Sequence, residues 1–138
     1  MKGQYLTVEY VLFFAIGIAM VIGIYMTFIN INEEIRTGAV TMQLGKTGEY
    51  IRDHIVIIYE AGRRTDSKIT YHLKVPSQLS GHIYVLKYSN GLNINSTQNY
   101  KIGDVLSLYN ININSPNIIY STNGVINIQY ENNQVWLS

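Results

Sequence analysis

The spacing of apolar residues changes twice along the chain. From Tyr10 to Asn32 no side chain is charged, and Val11 to Ile29 is almost wholly apolar. A helix rises 1.5 Å per residue and a bilayer core is about 30 Å thick, so this stretch matches one membrane crossing. It lacks the polar face that an amphipathic core helix keeps. Beyond it, Ile31, Ile35, Ala39, Val40, Met42, Leu44, Ile51 and Ile55 approximate a period of 3.6, with Glu33, Glu34, Arg36 and Gln43 opposite. Residues 5–50 thus read as one long helix, of which 10–31 form the membrane or bundle part. Thr37-Gly38 weakens it, and Gly45 or Gly48 is expected to end it as a left-handed cap.

From Asp53 onward the period becomes two. His54 to Tyr59 is β-branched and aromatic and predicts a short buried strand. Gly62–Ser67 is a turn. In Lys68–Val75, Ile69, Tyr71, Leu73 and Val75 alternate with polar residues. Pro76–Gly81 is a loop and His82–Tyr88 the next strand. Ser89-Asn90-Gly91 is a hairpin turn, with Leu92, Ile94 and Ser96 returning beside it. Val105–Ile113 reads as a strand stopped by Ser115-Pro116. Ile118–Tyr120 is short. Asn123-Gly124 predicts a second hairpin, and Val125–Tyr130 pairs with Gln134–Leu137 across Asn132-Asn133. Six to eight short strands with closely spaced turns indicate a small antiparallel sandwich. The fold class is α+β: a long N-terminal hydrophobic helix followed by a β-sandwich head over residues 51–138.

Composition narrows the functional classes. Of 138 residues, removal of the helix leaves enough for one small domain. The formal net charge is +1 and the cations are scattered, so a nucleic-acid partner has no electrostatic footprint. The absence of cysteine excludes disulfides and thiolate chemistry. Lys2 precedes the apolar stretch and Glu33-Glu34 follow it, which favours an N-terminus on the cytoplasmic side and a head outside. After Asp104 the only charged side chain is Glu131, and Asn takes over at 110, 112, 114, 117, 123, 127, 132 and 133. An uncharged polar surface suits an extracellular setting. Asn95-Ser96-Thr97 is a candidate N-glycosylation site.

Candidate chemistry is sparse. Among the three histidines, His72 and His82 flank the Pro76 loop and could face each other across a hairpin, but a metal site needs further ligands. No Ser, His and acid fall into a recognisable catalytic motif. Gly45-Lys46-Thr47 lacks the upstream glycine of a phosphate loop and follows a helix. No catalytic residue, metal ligand or cofactor is predicted. Of twelve tyrosines, Tyr71, Tyr84, Tyr88, Tyr109, Tyr120 and Tyr130 fall on predicted strands. They serve either as core and cross-strand partners or as exposed contacts.

Two details mark the apolar helix. Ala15, Ala19 and Gly23 recur every fourth residue, so they share one face and admit a second helix closely. Glu9 places a carboxylate where the chain enters hydrocarbon, at a cost of a few kcal/mol without a partner. It either reaches the interface near the positive helix end or pairs with the amine of a neighbouring subunit. A secretory signal fits poorly, because the apolar run is too long and no small-x-small cleavage site ends it.

Lys2-Gly3-Gln4-Tyr5-Leu6-Thr7-Val8-Glu9 followed by an apolar run resembles the class III signal peptide of archaeal type IV pilins. The resemblance covers the motif and the helix after it. It implies a short leader, residues 1–4, processed at Lys2, Gly3 and Gln4 by a prepilin peptidase. Cleavage after Gly3 makes Glu9 the sixth mature residue, and cleavage after Gln4 makes it the fifth. The family's behaviour implies a helix that waits among membrane lipids until an assembly ATPase and a membrane platform protein extract it into a filament. Self and other pilins would be its partners, and adhesion or cell–cell contact its role. Glu9, Ala15, Ala19 and Gly23 would then be the assembly residues. The same layout is similar to accessory, stator-like subunits of the archaellum, which stay in the membrane and bind surface-layer protein through a β-sandwich. Both expectations place the protein in the cell membrane as a single-pass chain with an extracellular C-terminal domain.

Overall fold

A computed structural model describes residues 2–115 and 118–138, without the side chains of Lys2 and Gln4. Pro116, expected to stop a strand, and Asn117 lie outside the described residues. Helix α1 spans Lys2–Thr65. It is followed by β1 (Ile69–Lys74), β2 (Tyr84–Tyr88), β3 (Leu92–Ser96), β4 (Gly103–Leu106), β5 (Ile113–Asn114), β6 (Ile119–Tyr120), β7 (Val125–Glu131) and β8 (Gln134–Leu137). The strands form two four-stranded sheets, ordered β1-β7-β8-β5 and β4-β3-β2-β6. The architecture is α+β, with the long apolar helix ahead of two small, mostly antiparallel sheets. The chain forms two compact units, Met1–Thr37 and Gly38–Ser138.

The helix does not stop at Gly45 or Gly48 but continues to Thr65, so His54–Tyr59 is helical and not a strand. Ile51, Ile55 and Ile58 are buried while Ile57 is exposed, which is the 3.6 period running on through a β-branched run. Burial of that stripe against the sheets outweighs the β preference of the individual residues. The two glycines have a different task. A Cβ on Gly48 would collide with Leu106 of β4 and approach Ile94 of β3, and one on Gly62 would enter the ring of Tyr130. They bring helix and sheets close together. Arg63 and Arg64 favour the negative end of the helix dipole, and Asp66 leaves it at φ 47°.

One hydrophobic core serves helix and sheets alike. Val40, Leu44, Ile51, Ile55 and Ile58 meet Leu73, Tyr84, Leu86, Leu92, Ile94, Ile126, Ile128, Tyr130, Val135 and Leu137. The outer positions of β7 alternate with these inner ones without exception. The Asn90-Gly91 turn and the Asn132-Asn133 turn form as expected, with Asn90, Asn132 and Asn133 all at positive φ. Part of the asparagine content therefore serves backbone geometry, since Asn tolerates the left-handed region.

Two strand expectations need correction. Val105–Ile113 is not one strand: Tyr109 and Asn110 are both left-handed, and β4 and β5 on either side belong to different sheets. Asn123-Gly124 does not close a hairpin. Ser121–Asn123 is a 3₁₀ turn with Gly124 at φ 65°, and it carries the chain from β6 in one sheet to β7 in the other. β5 pairs parallel to β8, through Ile113 with Val135 and Asn114 with Trp136.

Candidate assembly interface

The N-terminal part of α1 carries its apolar side chains in the open. Leu6, Val11, Phe13, Phe14, Ile18, Ile22, Ile24 and Phe28 are all exposed, and so is every described side chain from Tyr5 to Arg36. The helix is long and apolar enough to cross a membrane. Two threonine hydroxyls turn inward: Thr7 Oγ1 donates to the Gly3 carbonyl and Thr27 Oγ1 to the Gly23 carbonyl, each at 2.9 Å. A threonine bonded to its own helix needs no water, which suits an apolar surrounding.

Ala15, Ala19 and Gly23 lie on this exposed helix, and a Cβ at Gly23 would meet nothing within 4 Å. Glu9 is exposed as well, and among the described residues it has no ion-pair partner within the chain. Gly3 lies inside α1; the side chains of Lys2 and Gln4 are outside the described residues.

The other sequence candidates lie in the head. His72 and His82 do not meet. His72 stands on β1 with Nδ1 2.6 Å from Asn127 Oδ1, whereas His82 is buried 3.0 Å from Ser96 Oγ beside the other sheet. Among the described residues no group of three His, Cys, Asp or Glu side chains could hold a metal ion. Asn95 lies on β3 between Val85 and Gly103, and its Nδ2 donates to the Tyr100 carbonyl at 3.1 Å. Ser96 is fully buried, and Thr97 Oγ1 donates to the Ile83 carbonyl. The triplet is therefore part of a strand and its end, with the Asn95 amide nitrogen and both hydroxyls engaged. The tyrosines divide: Tyr84 and Tyr130 are core, while Tyr71, Tyr88, Tyr109 and Tyr120 are exposed.

Sequence reasoning did not find a groove on the outer face of the β1-β7-β8-β5 sheet, lined by Asn114, Gln129, Glu131 and Trp136. Only the alternation in β7 and β8 hinted at it. The parallel partner β5 has no local signal. Comparison with known protein families, curated proteins and solved structures finds no match for the chain, so what the helix and head do is inferred from their own residues.

Proposed function

We propose that the chain is a structural subunit of an archaeal type IV pilus-like surface filament. The observation that carries this is the N-terminal helix, apolar all round from Val11 to Ile29 and exposed from Tyr5 to Arg36. Such a surface cannot stand in water; at about 25 cal/mol per Å² it demands lipid or other copies of itself. The helix is held in the membrane with the head outside. A prepilin peptidase removes the leader, and an assembly ATPase with its platform protein draws the subunit out of the bilayer. Helices then bundle through Ala15, Ala19 and Gly23, where small side chains allow close approach. Glu9 meets the new N-terminal amine of a neighbour, so that neither charge is buried alone. Adhesion or cell–cell contact falls to the exposed heads.

A second reading is favoured by one observation, the placement of Glu9 sixth after Gly3 and not fifth. It keeps the helix in the bilayer as a fixed anchor, like the stator-like accessory subunits of the archaellum, with the head on surface-layer protein. Intact mass and N-terminal sequencing separate the two. A mature start at Gln4 or Tyr5 in sheared surface material is the expected result. An intact Met1 confined to the membrane fraction would sink the filament reading.

A further inference from the structure

We propose that the groove on the outer face of the β1-β7-β8-β5 sheet binds a neutral oligosaccharide, with Trp136 as its stacking platform. The inference stands on the groove alone and applies to a filament subunit or a fixed anchor alike. The groove has a volume of about 630 Å³, within the range of sites that hold small ligands. Its residues come together through register. Gln129 of β7 and Asn114 of β5 are the direct cross-strand partners of Trp136 on β8, so the three form one row with the indole in the middle. Adjacent strands lie about 4.8 Å apart, which sets an amide on each side of the ring.

The face around the row is polar, apart from the partly buried Val125 at the far end of β7. Thr70, His72 and Lys74 of β1, Asn127, Gln129 and Glu131 of β7, and Gln134 of β8 point the same way, while Ile126, Ile128, Tyr130, Val135 and Leu137 point into the core. A single exposed apolar residue on a surface is ordinary. This one differs because it occupies the centre of a concave polar row and is 44% exposed. Among the hydrogen bonds of the described residues, the indole N–H makes none. A sugar ring suits such a site. Its axial C–H bonds carry partial positive charge and meet the negative face of the indole, while its equatorial hydroxyls reach sideways to amides and carboxylates.

Two of the polar groups are already held. Gln129 Nε2 donates to Glu131 Oε2 at 3.0 Å, and Lys68 Nζ reaches the same oxygen at 3.1 Å. These bonds leave Oε1 of each side chain for a ligand. They also balance the one acidic side chain lining the groove against a lysine, which favours a neutral sugar over a charged one. Holding these two side chains lowers the ordering cost of binding.

Trp136 is the only tryptophan, so its fluorescence reports on this groove and nothing else. The test uses the full chain in a phosphocholine detergent, because a maltoside head group would compete. Tri-N-acetylchitotriose and cellotetraose are titrated as neutral probes, with trigalacturonate as the anionic one. The expected result is a saturable blue shift with at least one neutral probe. Asn114→Ala and Gln129→Ala should each raise the half-saturation concentration about fivefold, the loss of one neutral hydrogen bond. Saturation-transfer NMR on the unmodified chain should mark the C–H protons of one sugar face, and it decides the matter if either variant misfolds.

Three results would overturn the proposal. One is no spectral change or transfer with either neutral probe up to about 10 mM. Another is tighter binding of trigalacturonate. The third is a blue shift that grows with protein concentration and no sugar, which would make the groove a contact between copies of the chain.

Discussion

Tyr84 is the largest side chain enclosed completely in the head. Its hydroxyl donates to the Pro76 carbonyl at 2.7 Å, and burial pushes its pKa from 10.0 up to about 12. The folded protein therefore keeps this proton at pH values where the unfolded chain has lost it. Stability from Tyr84 is complete below pH 10 and disappears as pH rises through 12. At 1.36 kcal/mol per unit the loss is about 2–3 kcal/mol. Tyr84→Phe should cost about 1 kcal/mol at neutral pH and flatten this alkaline decline, read from urea midpoints of both proteins across the range. The helix glycines give a sharper contrast. Gly38 has open space where a Cβ would go, so Gly38→Ala should stabilise by up to about 1 kcal/mol through helix propensity. Gly62→Ala gains the same propensity but drives a methyl into the buried Tyr130 ring, and should cost a net 1–3 kcal/mol, roughly, in the same unfolding assay.

The same sequence rule gave opposite outcomes in different elements. The apolar stretch up to Ile29 declared a helix unaided, because no other regular structure buries backbone polar groups in a single segment through lipid. His54–Tyr59 declared a strand by composition and is helix, because Ile51, Ile55 and Ile58 meet the sheets on one side while Ile57 stays outside. Both periods were present in those residues, and only packing chose between them. The β7–β8 hairpin was legible because Asn132 and Asn133 tolerate the left-handed turn it needs. The β5–β8 pair was not, since a parallel partner follows no turn signal. At this scale Glu9 can be tested in the filament reading. Glu9→Ala should leave the protein in membranes at normal amounts and reduce surface filaments to background, counted by electron microscopy with immunoblots of the membrane fraction. Filaments at wild-type density from that variant would remove Glu9 from the assembly mechanism.

For the molecule as a whole, residues Gly38–Ser138 form a compact unit, and the buried core residues described, Val40 to Leu137, all lie within it. A fragment of those residues should stay monomeric in buffer without detergent and unfold in one cooperative transition, whereas the full chain should need detergent or lipid. Size exclusion and circular dichroism check both statements. The sequence by itself determined the features that depend on neighbours in the chain: an apolar helix of membrane length, most of the period-two strands, the Asn90-Gly91 and Asn132-Asn133 turns, the α+β class, and a chain without cysteine or clustered charge. These follow from local geometry and from transfer energies that each stretch carries alone. Tertiary structure decided what depends on distant partners. It extended α1 to Thr65, turned Gly48 and Gly62 into contact points, split the tyrosines into core and surface, and separated His72 from His82. It also set Asn114 and Gln129 on either side of Trp136. Each of these is a matter of which surfaces cover one another, and burial between residues far apart in sequence leaves no periodic mark on either of them.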